Sequence, residues 1–169
     1  MIRLLAAAVA VWTCSAQSPA TPEDRAAPSA NWRRVELTDF SVDLPRSMKE
    51  RKVRGVDSLV WEYSGGGSRL AIDYGMHSND LRSMAGTPGA HAEWVSIDGQ
   101  RANVVTSLSG RSYVAAVHFP DLGGNAASGR TKLTLSMESA SPDGLADAQK
   151  VFQSIRFTRR RLVPAFDGQ

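Results

Sequence analysis

Beyond Cys14 the chain has no cysteine, and that one lies inside its first sixteen residues. If those residues are removed, an intramolecular disulfide, a cysteine nucleophile and a thiolate metal site are all excluded. No apolar run is long enough to span a bilayer, which takes about 20 residues. The longest run, Leu4 to Trp12, is followed by small polar residues. No Gly-x-Ser-x-Gly elbow and no helical His-Glu-x-x-His pair occurs, and the glycine loop Ser64–Ser68 lacks the lysine of a phosphate cradle. Self-similarity at the periods of solenoids or propellers is also missing, which removes the repeat architectures. Formal charge of one sign is scarce too: the net charge is +3, with Arg3 of the opening segment included in it.

What is present begins with an address. Arg3 supplies a positive start, Leu4 to Trp12 an apolar stretch, and Cys14-Ser15-Ala16 small residues for cleavage. That is the layout of an export signal over residues 1–16. The alternative makes Cys14 a lipid-bearing cysteine, but Val11-Trp12-Thr13 places bulk where such signals carry small residues. Residues 17–30 read QSPATPEDRAAPSA, with no large apolar side chain, and should form a solvated linker. Residues 31–158 are expected to be one domain, large enough to bury a core without staples. Residues 159–169, with Arg159-Arg160-Arg161, make a basic tail.

Within the domain the apolar period is two. Val35 and Leu37, then Phe40, Val42 and Leu44, alternate with polar neighbours until Pro45. Leu59, Trp61 and Tyr63 precede Ser64–Ser68, and Leu70, Ile72 and Tyr74 follow it, which predicts a hairpin. Asp98-Gly99 predicts a second, between Trp94–Ile97 and Ala102–Thr106. Tyr113–Phe119 and Leu133–Met137 complete the strands, with a polar loop at 121–129 between them.

Two stretches depart from that period. Asn79 or Ser78 can cap a short helix near residues 79–85 that holds Leu81, Met84 and Ala85 and ends at Gly86 and Pro88. Ser141, Pro142 and Asp143 read as a helix start, and Leu145, Ala148, Phe152 and Ile155 recur at three and four residues. That stripe must be buried, so the expected fold is α+β: a mostly antiparallel sheet with a C-terminal helix packed on it.

The opening WRRVELTDFSVDLP of residues 32–45 and the closing ADAQKVFQSIRF of residues 146–157 have a familiar look. They resemble the PsbP-like fold group, which includes an extrinsic photosystem subunit, a nuclear import factor that binds Ran, and bacterial periplasmic DcrB-like proteins. The resemblance implies an exported interaction module and carries no catalytic motif.

Two constellations could carry chemistry. Asp73, His77 and Asp80, with His91 and Glu93, combine imidazole and carboxylate and would suit a divalent metal, as in a metal-dependent hydrolase. Arg46, Lys49, Arg51, Lys52 and Arg54 form a basic cluster that could meet an anionic partner, though such runs are commonly solvated loops. His118, between Val117 and Phe119, is placed on the outward side of its strand. Trp61, Tyr63 and Tyr74 are expected in the core, with an exposed aromatic platform as the alternative.

The reading is an exported, non-catalytic binding module without a cofactor, its working surface the Arg46–Arg54 loop, the Gly75–Ala90 segment or a sheet edge. Its expected partner is another envelope protein. The basic clusters allow an anionic membrane surface, and export argues against nucleic acid. The metal-binding envelope protein is the competing reading.

Overall fold

The structure is a computed structural model that describes residues 29–158, apart from 54, 56 and 126–128. The leader, Cys14, most of the linker, Arg54 and the basic tail therefore lie outside the described residues. No described helix is long and apolar enough to cross a membrane.

Alternation places the first two strands where the pattern puts them: β1 (Trp32–Glu36) and β2 (Phe40–Pro45) pair antiparallel, Val35 opposite Val42. The main sheet follows. Its strands are β3 (Lys49–Arg51), β4 (Leu59–Gly65), β5 (Ser68–Gly75), β6 (His91–Ile97), β7 (Gln100–Ser109), β8 (Ser112–Phe119) and β11 (Lys132–Ser139). They lie in the order β3-β4-β5-β11-β8-β7-β6, each pair antiparallel. Between β8 and β11 the polar loop holds a small ladder of β9 (Gly124–Asn125) with β10 (Gly129–Arg130). The β4–β5 hairpin turns on Gly66 and Gly67, φ +61° and +77°, and the β6–β7 hairpin on Asp98 and Gly99, φ +50° and +78°. Both central residues positive is the two-residue turn whose twist matches the strands.

The basic stretch is less of a loop than its composition suggests. Lys49–Arg51 is an edge strand paired to β4, and Met48 beside it is fully buried. Three exposed polar residues hid the strand from a reading based on apolar alternation. Charged residues there also guard an open edge against pairing.

Helix α2 (Asp143–Gln153) crosses the sheet against β8 and β11 and touches β2. Ala148, Val151 and Phe152 are buried, as is Ile155 just past its end, while Leu145 is partly buried. The Ser141 hydroxyl accepts the Asp143 N–H at 3.3 Å, as a capping serine would, while the helix itself begins at Asp143, about a residue later than expected. Gly144, a poor helix former, sits where a Cβ would collide with Ser139 of β11. Close approach of helix to sheet is the reason for glycine there.

A second layer was not visible in the pattern. After α2 the chain forms β12 (Arg156–Phe157), which pairs with β2. β1, β2 and β12 thus make a separate three-stranded sheet that covers the main sheet beside α2. Ser154 ties these parts together, accepting the Asp43 N–H at 2.8 Å and donating to the Val151 carbonyl at 2.7 Å.

Candidate functional site

Register decides which side chains can meet, because neighbours in one row share a face and adjacent rows alternate. Ile72, Leu135, Val117 and Val104 form one row across β5, β11, β8 and β7. All are buried in the main core under α2. One residue along, the row reads Asp73, Thr134, His118, Asn103 and Trp94, on the opposite, outer face.

That outer face is not open to solvent at its centre. The segment from Met76 to Ala90 lies over it and contains α1, a single turn over Arg82–Ala85. Leu81 is 4% exposed and packs with Val105 and Ala116 in a small second cluster. Neither Ser78 nor Asn79 caps α1, contrary to expectation. The Asp80 carboxylate instead accepts the Arg82 N–H at 3.2 Å and pairs with its guanidinium. Those bonds hold the Asp80 carboxyl below its ordinary range.

Ser78 and Asn79 serve a different purpose. The Thr134 hydroxyl donates to the Asn79 carbonyl at 2.6 Å and lies 2.7 Å from the Ser78 hydroxyl. Ser78 Oγ also donates to the Asp73 carbonyl at 3.0 Å. His118 Nδ1 lies 2.8 Å from Thr134 Oγ1. Since Thr134 spends its proton on Asn79, this ring nitrogen is the donor, and Nε2 is the free base. His118 does face outward, as its strand position implies, yet it is only 5% exposed because the segment covers it. Burial lowers its pKa, Lys132 lowers it further, and Asp80 opposes them.

The same rows separate the five metal candidates. Asp73 belongs to the outer face, with Asp80 and the exposed His77 in the segment above it. Glu93 falls in the row of Val104, and His91 in the row of Thr106, so both belong to the inner face at the β6 edge. The sheet lies between the two groups. Among the described residues no group of three or more histidine, cysteine, aspartate or glutamate side chains comes together to hold a metal. Asp73 Oδ1 and Glu93 Oε1 are each buried without a hydrogen-bond partner among the described residues. Two shallow, open depressions, of about 400 and 500 Å³, contain none of the five.

Of the basic cluster, Arg46, Lys49, Arg51 and Lys52 are exposed, and Arg46 Nε donates to the Ala30 carbonyl at 2.9 Å. Trp61, Tyr63 and Tyr74 all take inner-face rows: Tyr63 is 1% exposed, and Trp61 and Tyr74 pack around Phe40. Among the described residues the exposed aromatic is Trp94, 53% accessible, with the Arg101 guanidinium stacked 4.2 Å from its ring centre. It sits on β6, a seven-residue strand that ends the sheet and pairs only with β7 among the described residues.

A covered outer face was foreshadowed by Val114-Ala115-Ala116-Val117. A strand with consecutive apolar residues is one buried on both faces. No family model and no curated protein matches the chain.

Proposed function

We propose that the chain is an exported, non-catalytic interaction module that takes an extended segment of an envelope protein along the edge of β6. The observation that carries this reading is the contrast between the two edges of the main sheet. β3 is short and bears exposed Lys49 and Arg51, the residues that discourage pairing. β6 is seven residues long, carries no lysine or proline, and presents Trp94 instead. An edge of that kind offers a row of backbone donors and acceptors to an added strand, and its side chains supply selectivity.

Exposed tryptophan is the residue type most concentrated at energetic centres of interfaces. The Arg101 side chain stacked on it limits the rotamers that binding would have to freeze. Leu108, 55% exposed near the start of β6, extends the apolar character of that edge. Glu93 Oε1, buried without a hydrogen-bond partner among the described residues, would take a donor from the incoming strand. The export layout of residues 1–16 and the PsbP-like resemblance favour an envelope partner over an intracellular one.

A photo-activated cross-linker at exposed Ser96 tests this in envelope preparations. The expected result is a discrete adduct that Trp94→Lys abolishes and Lys49→Ala leaves intact. An adduct unaffected by Trp94→Lys refutes the β6 assignment. No adduct from Ser96, with one from the same cross-linker placed at Lys49 on β3, would move the working surface to the basic cluster.

A further inference from the structure

The polar network under the Met76–Ala90 segment is not used by the β6 edge, and it has the construction of a switch. We propose that His118 is a proton-operated latch: with its ring neutral the segment stays docked on the outer face, and a proton taken up at Nε2 releases it.

Hydrogen-bond bookkeeping supports the neutral form. Nδ1–H goes to Thr134, Thr134 to the Asn79 carbonyl, and Ser78 to Asp73 or Thr134, so the docked segment is stitched to β11 and β5 over a Thr134 hydroxyl that the His118 ring holds in place. A second ring proton would create a charge at a site 5% exposed. The charged groups around it do not absorb that charge. Asp80 faces it from the segment, but its carboxylate already holds Arg82. Lys132 acts on it from β11 with the same sign. From β7, Arg101 lies two residues from Asn103, the residue opposite His118, and is stacked on Trp94. From β5, Asp73 shares the row but stands beyond Thr134, and His77 in the segment is exposed. Hydration of the cation is gained by lifting the segment.

The segment is also held lightly. Leu81, on Val105 and Ala116, is its one fully buried apolar anchor, with Met84, Ala85 and Ala90 only partly buried around it. Leu81 takes φ +49°, a left-handed conformation that a non-glycine residue adopts only under restraint. Short pieces with few apolar contacts open before the rest of a fold does. Release would expose Leu81, Val105 and Ala116 as a new apolar strip on the outer face.

The direction of the pH effect follows from proton binding. Docked, the ring's pKa lies below its ordinary 6.5, and undocked it returns there. The docked state binds fewer protons, so docking is complete above about pH 6.5 and weakens as pH falls toward the docked value. The opening constant rises by up to about tenfold per pH unit in that window.

Hydrogen exchange on the full chain, corrected for intrinsic rates, tests this between about pH 7.5 and about pH 5. The reporters are the Ala85, Gly86 and Ala90 amides, which bond to the Leu81, Arg82 and Thr87 carbonyls. They should lose about tenfold protection per pH unit while β8 and β11 amides hold. His118→Asn keeps a donor toward Thr134 and cannot ionise, and should flatten the response. An equal loss in His118→Asn overturns the proposal. So does unchanged segment protection across the range where the His118 ring titrates by NMR in the unaltered chain, a comparison that decides the matter even if the variant does not fold.

Discussion

Phe152→Ala is the sharpest probe of the layer that seals the sheet. Phe152 is 0% exposed on α2, which lies against β8, β11 and β2. Its removal loses the transfer free energy of the ring and leaves a cavity in the main core, together about 3–5 kcal/mol. Total stabilities are about 5–15 kcal/mol, so the variant stands near the edge of folding. With a urea dependence of about 2 kcal/mol per molar, the midpoint should fall by about 2 M at unchanged slope. Leu145→Ala is the internal control. Leu145 lies on the same stripe but is only partly buried, and its truncation should cost less than half as much. Urea titration followed by far-UV circular dichroism reads both. A loss below about 1 kcal/mol for Phe152→Ala, or an equal loss for Leu145→Ala, would refute the placement of the helix stripe.

Gly144→Ala tests a sign. Helix propensity alone favours alanine by about 1 kcal/mol, whereas the added Cβ would run into Ser139, and overpacking costs about 1–3 kcal/mol. A lowered melting temperature is expected, and a raised one would mean that α2 does not approach β11 as described. Ser154→Ala leaves the Asp43 N–H without its acceptor and should cost about 1–3 kcal/mol in the same urea assay. A change within about 0.5 kcal/mol, the range of an ordinary surface substitution, would show that this junction is not needed.

Much of the fold was legible because period-two alternation is local. Phe40, Val42 and Leu44, or Leu70 and Ile72, mark a buried face whatever that face packs against, and Asp98-Gly99 and Gly66-Gly67 specify turns by backbone freedom alone. The stripe of Ala148, Phe152 and Ile155 was equally readable, since a helix repeats every 3.6 residues. Lys49–Arg51 was not, because an edge strand with both faces wet has no alternation to show. The short helix was anticipated, but its cap was misassigned: Ser78, Asn79 and Asp80 are all competent caps, and which one acts depends on Thr134, more than fifty residues away.

The candidate site divides along the same line. That His118 faces away from the main core follows from parity within one strand, and so does the shared face of Trp61 and Tyr63. Nothing in either strand says that a distant segment folds over His118, or that Asp73 and Glu93 end on opposite sides of the sheet. Residue order alone marks the strands, helix and turns that carry a buried face or a special backbone, because those depend on neighbours a few positions apart. Strand order, register and the partner of each polar group emerge on assembly, because they depend on contacts between residues the chain keeps far apart.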